Sequence, residues 1–219
     1  MSSKDKVKPG QVAIQWEKCA IDDAVKFITA GACKDESEYF ASGMVQAGNL
    51  LGVLSQRTKT WDFLKGTIVD WGCGLGRHTL WFHKVFHKAI GVDVSPEMIS
   101  LAKENFKDVD FRVSKTETTI PVEADSVNIV FSVIALQHNP RANVKKVLEE
   151  MKRILMKDGI ACIQLPVVSD PENIVFPANP NSTARWGLDE FNQAIKGLFE
   201  PIRIATDQHF GYHILKVIK

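Results

Sequence analysis

Between residues 66 and 168 the chain alternates short, unbroken apolar runs with amphipathic helical patterns, and this alternation narrows the fold more than any other feature. GTIVDW, KAIGVDV, VDFRVS, VNIVFSVI and GIACIQLPVV read as five strands, with helices expected over 77–87, 96–106 and 142–156. Strands without a polar face expose no side to water, so they belong in a parallel sheet covered on both faces by helices. The third helix carries Val144, Val147, Leu148, Met151, Ile154 and Leu155 on a single apolar stripe before KDG stops it. The tail departs from this rhythm. Residues 186–199 read as a helix, and 201–219 as two strands joined by a turn at 209–211, a connection short enough to require an antiparallel hairpin. A doubly wound α/β fold with a mostly parallel seven-stranded sheet and a C-terminal antiparallel hairpin is the expectation.

Two helical patterns precede the sheet. Ile14, Ala24, Val25, Phe27 and Ile28 belong to one, and Phe40, Met44, Ala47, Leu50, Leu51 and Leu54 to the other, with Asp35 or Ser37 placed to cap the second. The one long irregular stretch, 169–185, follows the carboxyl end of a strand, where open α/β sheets bind ligands, so it is expected at a pocket edge.

A chain of 219 residues, 45% hydrophobic, can bury one substantial core. Its 27 basic and 26 acidic residues leave a net charge of +1, which provides no overall field for nucleic acid or anionic membrane. Cys19, Cys33, Cys73 and Cys162 show no metal or redox spacing, and the N-terminus has no apolar signal core. No apolar window reaches the roughly 18 to 20 residues of a membrane span. These features predict a reduced, cytoplasmic protein.

The stretch VDWGCGLGRH, at 69–78, follows the first strand and opens a helix. Gly72, Gly74 and Gly76 let the backbone turn tightly and approach a ligand closely. Asp93 ends the second strand about twenty residues later, where α/β nucleotide folds bind ribose hydroxyls. A nicotinamide dinucleotide fits poorly: the last small-residue place of its fingerprint holds Arg77, and Asp70 would repel a pyrophosphate. No Gly-Lys-Ser or Gly-Lys-Thr follows, so the loop is not a P-loop. A carboxylate beside it suits a cationic ligand.

DWGCGLGRH and GVDVSPEMI resemble the first two motifs of class I S-adenosylmethionine-dependent methyltransferases, and the likeness continues to KRILMKDGIACIQLP, over roughly 66–168. The resemblance implies S-adenosyl-L-methionine as cofactor. It places Asp70 at the methionine amino group, lines the cofactor with Gly72, Cys73, Gly74 and Gly76, assigns Asp93 to both ribose hydroxyls, and sets Val94 and Met98 against the adenine. It also makes 1–60 an N-terminal helical cap on a Rossmann-like domain at 61–219. Where many relatives carry an acidic residue near the adenine amine, this chain has Lys115; a backbone group or Glu117 substitutes, or adenine recognition is looser.

Methyl transfer asks chiefly for alignment, which can contribute about 7 to 11 kcal/mol, so catalytic residues need be few. His138, just beyond the fourth strand, is the candidate general base. Gln137 and Asn139 flank it. His83 and His87 stand four apart but lack the glutamate and further ligand of a metal site, and none is expected. Trp16, Tyr39, Phe40, Met44 and Trp186 are candidates to roof a substrate pocket. The fourth strand lacks the signatures of nucleic-acid amino or cytosine methyltransferases. The expected activity is therefore methylation of an O or N atom of a small molecule, the alternatives being a protein side-chain methyltransferase or a non-catalytic binding module on the same fold. Oligomeric state is not legible.

Overall fold

The computed structural model describes residues 10–29, 33, 35–169, 183–203 and 212–219. Two helices lead the chain, α1 (Gln11–Thr29) and α2 (Glu36–Thr58). Asp23 interrupts α1 with an extended backbone, and its carboxylate accepts the Lys26 N–H at 3.0 Å, recapping the helix beyond the break. Asp35 caps α2 by accepting the Glu38 N–H at 2.9 Å. After a 3-10 turn at Asp62–Lys65, the domain runs β1 (Thr67–Trp71), α3 (Thr79–Val85), β2 (Lys88–Asp93), α4 (Pro96–Asn105), β3 (Asp110–Val113) and β4 (Val127–Ser132). It continues with a 3-10 turn (Leu136–His138), α5 (Arg141–Ile154), β5 (Leu155–Gln164), β6 (Val167–Val168), β7 (Trp186–Gly187), α6 (Leu188–Ile195), β8 (Phe199–Arg203) and β9 (Tyr212–Val217).

Seven strands form one sheet in the order β3-β2-β1-β4-β5-β9-β8. β1 to β5 are mutually parallel, and β9 runs antiparallel to both β5 and β8. The doubly wound sheet with a C-terminal hairpin is as expected; the turn expected at 209–211 lies outside the described residues. Strand order reverses at β1, which has β2 on one side and β4 on the other.

The alternation of side chains along each strand feeds two apolar layers. Ile68, Ile129, Phe131, Cys162 and Ile214 face Ala47, Leu50 and Leu54 of α2 and Phe82 and Phe86. Val69, Val130, Ala161, Ile163 and Leu215 face the stripe of α5, with Phe191 and Ile195 of α6. The leading helix α2 thus covers one face of the sheet.

Three boundaries differ from expectation. The helix at 142–156 stops at Ile154, because Leu155 already pairs with Val127; Met156, Lys157 and Asp158 then bulge outward, with Asp158 at φ 65. The expected fifth strand is divided at Pro166, which has no N–H for a ladder, so Val167 and Val168 leave the main sheet and pair with Trp186 and Gly187. That pairing makes Trp186 and Gly187 extended, and the helix expected over 186–199 shortens to α6. Among the described residues no helix is long and apolar enough to cross a membrane.

Leu148 is wholly buried between α5 and the sheet. Leu148→Ala should lower stability by about 2 to 5 kcal/mol in urea unfolding; a loss below about 1 kcal/mol would contradict this packing.

Candidate active site

At the carboxyl ends of β1, β2 and β4, on the side where the strand order reverses, lies a cavity of about 640 Å³. Open α/β sheets bind ligands at this point because the connections from β1 and β4 diverge and leave a crevice. The loop Gly72–Cys73–Gly74 forms its floor. The N–H groups of Gly72 and Cys73 donate to Val92 O at 2.8 and 3.1 Å, and the Gly74 N–H donates to Asp93 Oδ2 at 2.9 Å. Gly72 has φ 78, and a Cβ there would fall on the Ala135 methyl, so only glycine lets the loop lie against the turn after β4.

Asp93 lines the cavity, with Oδ1 accepting the Ser95 N–H at 3.0 Å. Burial pushes its carboxyl above the usual range, against the pull of N–H donors from Ser95, Gly74 and Val94. Val94 and Met98 add apolar wall beside it. The expected residues Gly72, Cys73, Gly74, Asp93, Val94, Met98 and His138 therefore share one cavity.

Asp70 and Gly76 do not line it. Asp70 lies behind the loop, 1% exposed, accepting the Thr79 hydroxyl at 2.6 Å. Burial raises its carboxyl to about 7, with Thr79 and Arg77 acting in the opposite sense. Gly76, at φ 84, packs against the Phe111 ring, so its role is in the fold of the loop.

The roof comes from the leading helices. Val12, Trp16, Cys19, Phe27 and Ile28 of α1 and Tyr39 of α2 line the cavity; Phe40, Met44 and Trp186 do not. Trp186 is wholly buried beside α6 and Met44 is half exposed. Two polar ties hold α1 down. Glu17 Oε2 accepts the Ser95 hydroxyl at 2.5 Å and the Glu97 N–H at 3.2 Å, and Glu117 Oε1 accepts the Ala13 N–H at 3.0 Å. Glu117 belongs to the cavity wall and also accepts from Asn143 Nδ2 at 2.7 Å, whereas Lys115 is exposed and outside this cavity.

Beyond β4, Gln137, His138 and Asn139 close the far side. The His138 ring meets Trp16 edge-on, centroids 5.3 Å apart. Thr183, at the described end of the irregular stretch, also lines the cavity, and the neighbouring Ala184 N–H donates to Gln137 O at 2.8 Å. His83 and His87 are exposed on and just after α3.

Sequence reasoning did not assign Arg77 and His78 to the site. Arg77 Nη1 donates to Ser42 Oγ at 2.9 Å and its guanidinium lies 5.1 Å from the Tyr39 ring centroid. His78 Nε2 lies 2.6 Å from Gln46 Oε1, and burial, then Arg77, holds its pKa well below the ordinary value. Both partners come from α2, over thirty residues away, so no local pattern marks them.

Residues 68–159 match the methyltransferase domain family. The chain is 28% identical over 143 residues to the probable S-adenosylmethionine-dependent methyltransferase CRG1 of Saccharomyces cerevisiae, covering 61% of this chain and 47% of that protein. It is 30% identical over 167 residues to an uncharacterized protein of Methanocaldococcus jannaschii, covering 76% and 55% respectively. The chain thus spans about half the length of these curated relatives. Magnesium protoporphyrin IX methyltransferase from Synechocystis, solved with S-adenosylmethionine bound, shares the fold with a TM-score of 0.63 at 13% identity, covering 94% of this chain and 95% of that one.

Asp70 binds more protons in the folded state than in the unfolded state between its ordinary 3.8 and about 7. Its contribution to ligand-free stability therefore falls as pH rises through that window and is not recovered above it. His78 acts in the opposite sense, being held unprotonated by the fold. Asp70→Asn should isolate the first effect: relative to the parent, the variant gains stability as pH rises from about 4 to 8, read by urea unfolding. A constant difference across that range would contradict the buried-carboxyl assignment.

Proposed function

We propose that the chain is a class I S-adenosylmethionine-dependent methyltransferase that transfers the cofactor's methyl group to an O or N atom of a small molecule, a reading supported by the match of residues 68–159 to the methyltransferase domain family. The observation that carries this reading is one cavity joining Asp93 to His138 under a largely apolar and aromatic roof. Its volume lies within the range of small-ligand sites. The roof of α1 suits a free small molecule better than a side chain presented by a folded protein, and the near-zero net charge gives nucleic acid no electrostatic hold. In this reading 1–60 caps the 61–219 domain.

The residues present fit the cofactor. The Asp93 carboxylate is held by N–H donors in an orientation that leaves lone pairs for ribose hydroxyls. Val94 and Met98 provide apolar surface for the adenine, and Glu117 is the acidic group on that wall. Asp70 draws positive charge toward the loop from behind it, and Arg77 supplies a cation at the cavity surface for a carboxylate. When bound, the cofactor supplies a methyl group on a sulfonium, already activated for displacement. The protein aligns the acceptor beneath α1 and excludes water. His138 takes the proton released when the acceptor is a hydroxyl or an N–H.

Asp93→Ala should weaken S-adenosylhomocysteine binding by about 1.5 to 3 kcal/mol in isothermal titration, the usual loss for hydrogen bonds to a charged group. Unchanged affinity in a folded variant would remove the ribose assignment. Conversion of S-adenosylmethionine to S-adenosylhomocysteine with fractionated metabolites as acceptors tests the activity itself. With an acceptor in hand, His138→Ala should lower kcat by about 10²- to 10⁴-fold; full turnover would leave His138 a packing residue.

A further inference from the structure

Tyr39 stands on α2, outside the 66–168 stretch that carries the sequence resemblance, yet it lines the cavity at 3% exposure. A Cβ placed on Gly74 would stand 3.7 Å from the Tyr39 Oη, so the phenol reaches the loop that forms the cavity floor. Its hydroxyl makes no hydrogen bond to any described residue. Ser132 Oγ and Trp186 Nε1 are also unpaired, but they are wholly enclosed and their residues do not line the cavity, whereas the Tyr39 oxygen keeps accessible surface. A buried tyrosine hydroxyl normally finds a partner, so an open one against the floor of a cavity is free for a ligand.

The cation beside it also lacks a counter-charge. The Arg77 guanidinium lies 5.1 Å from the Tyr39 ring centroid and gives one N–H to Ser42 Oγ at 2.9 Å. Arg77 borders the cavity and forms no salt bridge with any described carboxylate. The two groups are held as a unit by α2. The Ser42 hydroxyl that accepts from Arg77 donates to Tyr39 O at 2.7 Å, and a Cβ on Gly43 would fall 2.3 Å from Arg77 O, so the helix packs directly on the backbone behind the glycines. Burial holds the phenol above its ordinary value, so it stays protonated and presents a donor.

A phenol O–H and a guanidinium are both donors, and together they suit an anion. The carboxyls of Asp70 and Asp93 bear on the same place, each acting to raise the pKa of the Tyr39 phenol. An anion with no positive charge of its own would meet their field. An α-amino-acid end satisfies both sides, with its carboxylate toward Tyr39 and Arg77 and its ammonium toward the carboxyls. We infer that Tyr39 selects the cofactor, its hydroxyl donating beside the Arg77 guanidinium to the carboxylate of the amino-acid end, an inference that rests on the methyltransferase reading of the cavity. The leading helices are then part of the cofactor site as well as a roof over the acceptor.

Two ligands that differ in that carboxylate alone test this by calorimetric titration: S-adenosylhomocysteine, and its decarboxylated analogue, which keeps the adenosine, the thioether and the amine. The parent should bind the first about tenfold or more tightly than the second. Tyr39→Phe, which removes only the hydroxyl, should weaken S-adenosylhomocysteine about tenfold or more, the loss for one hydrogen bond to a charged group, and change the analogue by less than about twofold. Its ligand-free melting temperature should match the parent's, because the hydroxyl has no partner in the fold. Arg77→Gln should narrow the parent's preference in the same direction. Equal affinity of the parent for the two ligands, a Tyr39→Phe loss shared by both or absent, an unchanged preference in Arg77→Gln, or a lower ligand-free melting temperature for Tyr39→Phe would each overturn the inference. Failure of the parent to bind either ligand, measured first, would overturn the methyltransferase reading and this inference with it.

Discussion

Three hydrogen bonds between the glycine loop and the end of β2 organise the site. Gly72 and Cys73 share Val92 O, and Gly74 reaches the Asp93 carboxylate. They fix the loop to the strand that carries Asp93, so the floor of the cavity and this buried carboxyl are one unit. Gly72 passes the constraint on, since its close approach to Ala135 sets the turn after β4 against the loop. Movement of either strand end would disturb both halves of the cavity.

Around this unit the charges are arranged by burial. Asp93 has its carboxylate restrained by N–H donors at the cavity surface, while Asp70 is withdrawn behind the loop with Thr79 as partner. Two carboxylates near one loop favour a cationic guest, and the raised pKa of each reflects the cost of burying it. The roof completes the arrangement through Glu17 and Ala13, which tie α1 to Ser95, Glu97 and Glu117. Those three residues follow β2 and β3, so the helix that closes the cavity is anchored to the strand ends that form it.

The sheet was legible because its signal is periodic and local. Unbroken apolar strands and the stripe of α5 announce burial on both faces, and the glycine loop and Asp93 are a short, spaced pattern. What was not legible depends on distant partners. Nothing near Trp186 indicates that it pairs as a strand with Val167, and nothing near Arg77 or His78 reveals Ser42 or Gln46. Asp70 shows the limit within a recognised motif: the sequence places it beside the loop but not on which side of the backbone its carboxylate lies. Tyr39 was visible as a candidate for the roof, while the approach of its unpaired hydroxyl to Gly74 emerges only from packing.

The most direct measurement of the central claim is thermal unfolding of the protein with S-adenosylhomocysteine and, separately, with NAD. A ligand at about 100 times its dissociation constant adds about 2.7 kcal/mol of stability. The account predicts that upward shift with S-adenosylhomocysteine and none with NAD, whose fingerprint is broken at Arg77 and whose pyrophosphate meets the field of Asp70. Stabilisation by NAD alone, or by neither ligand, would contradict it.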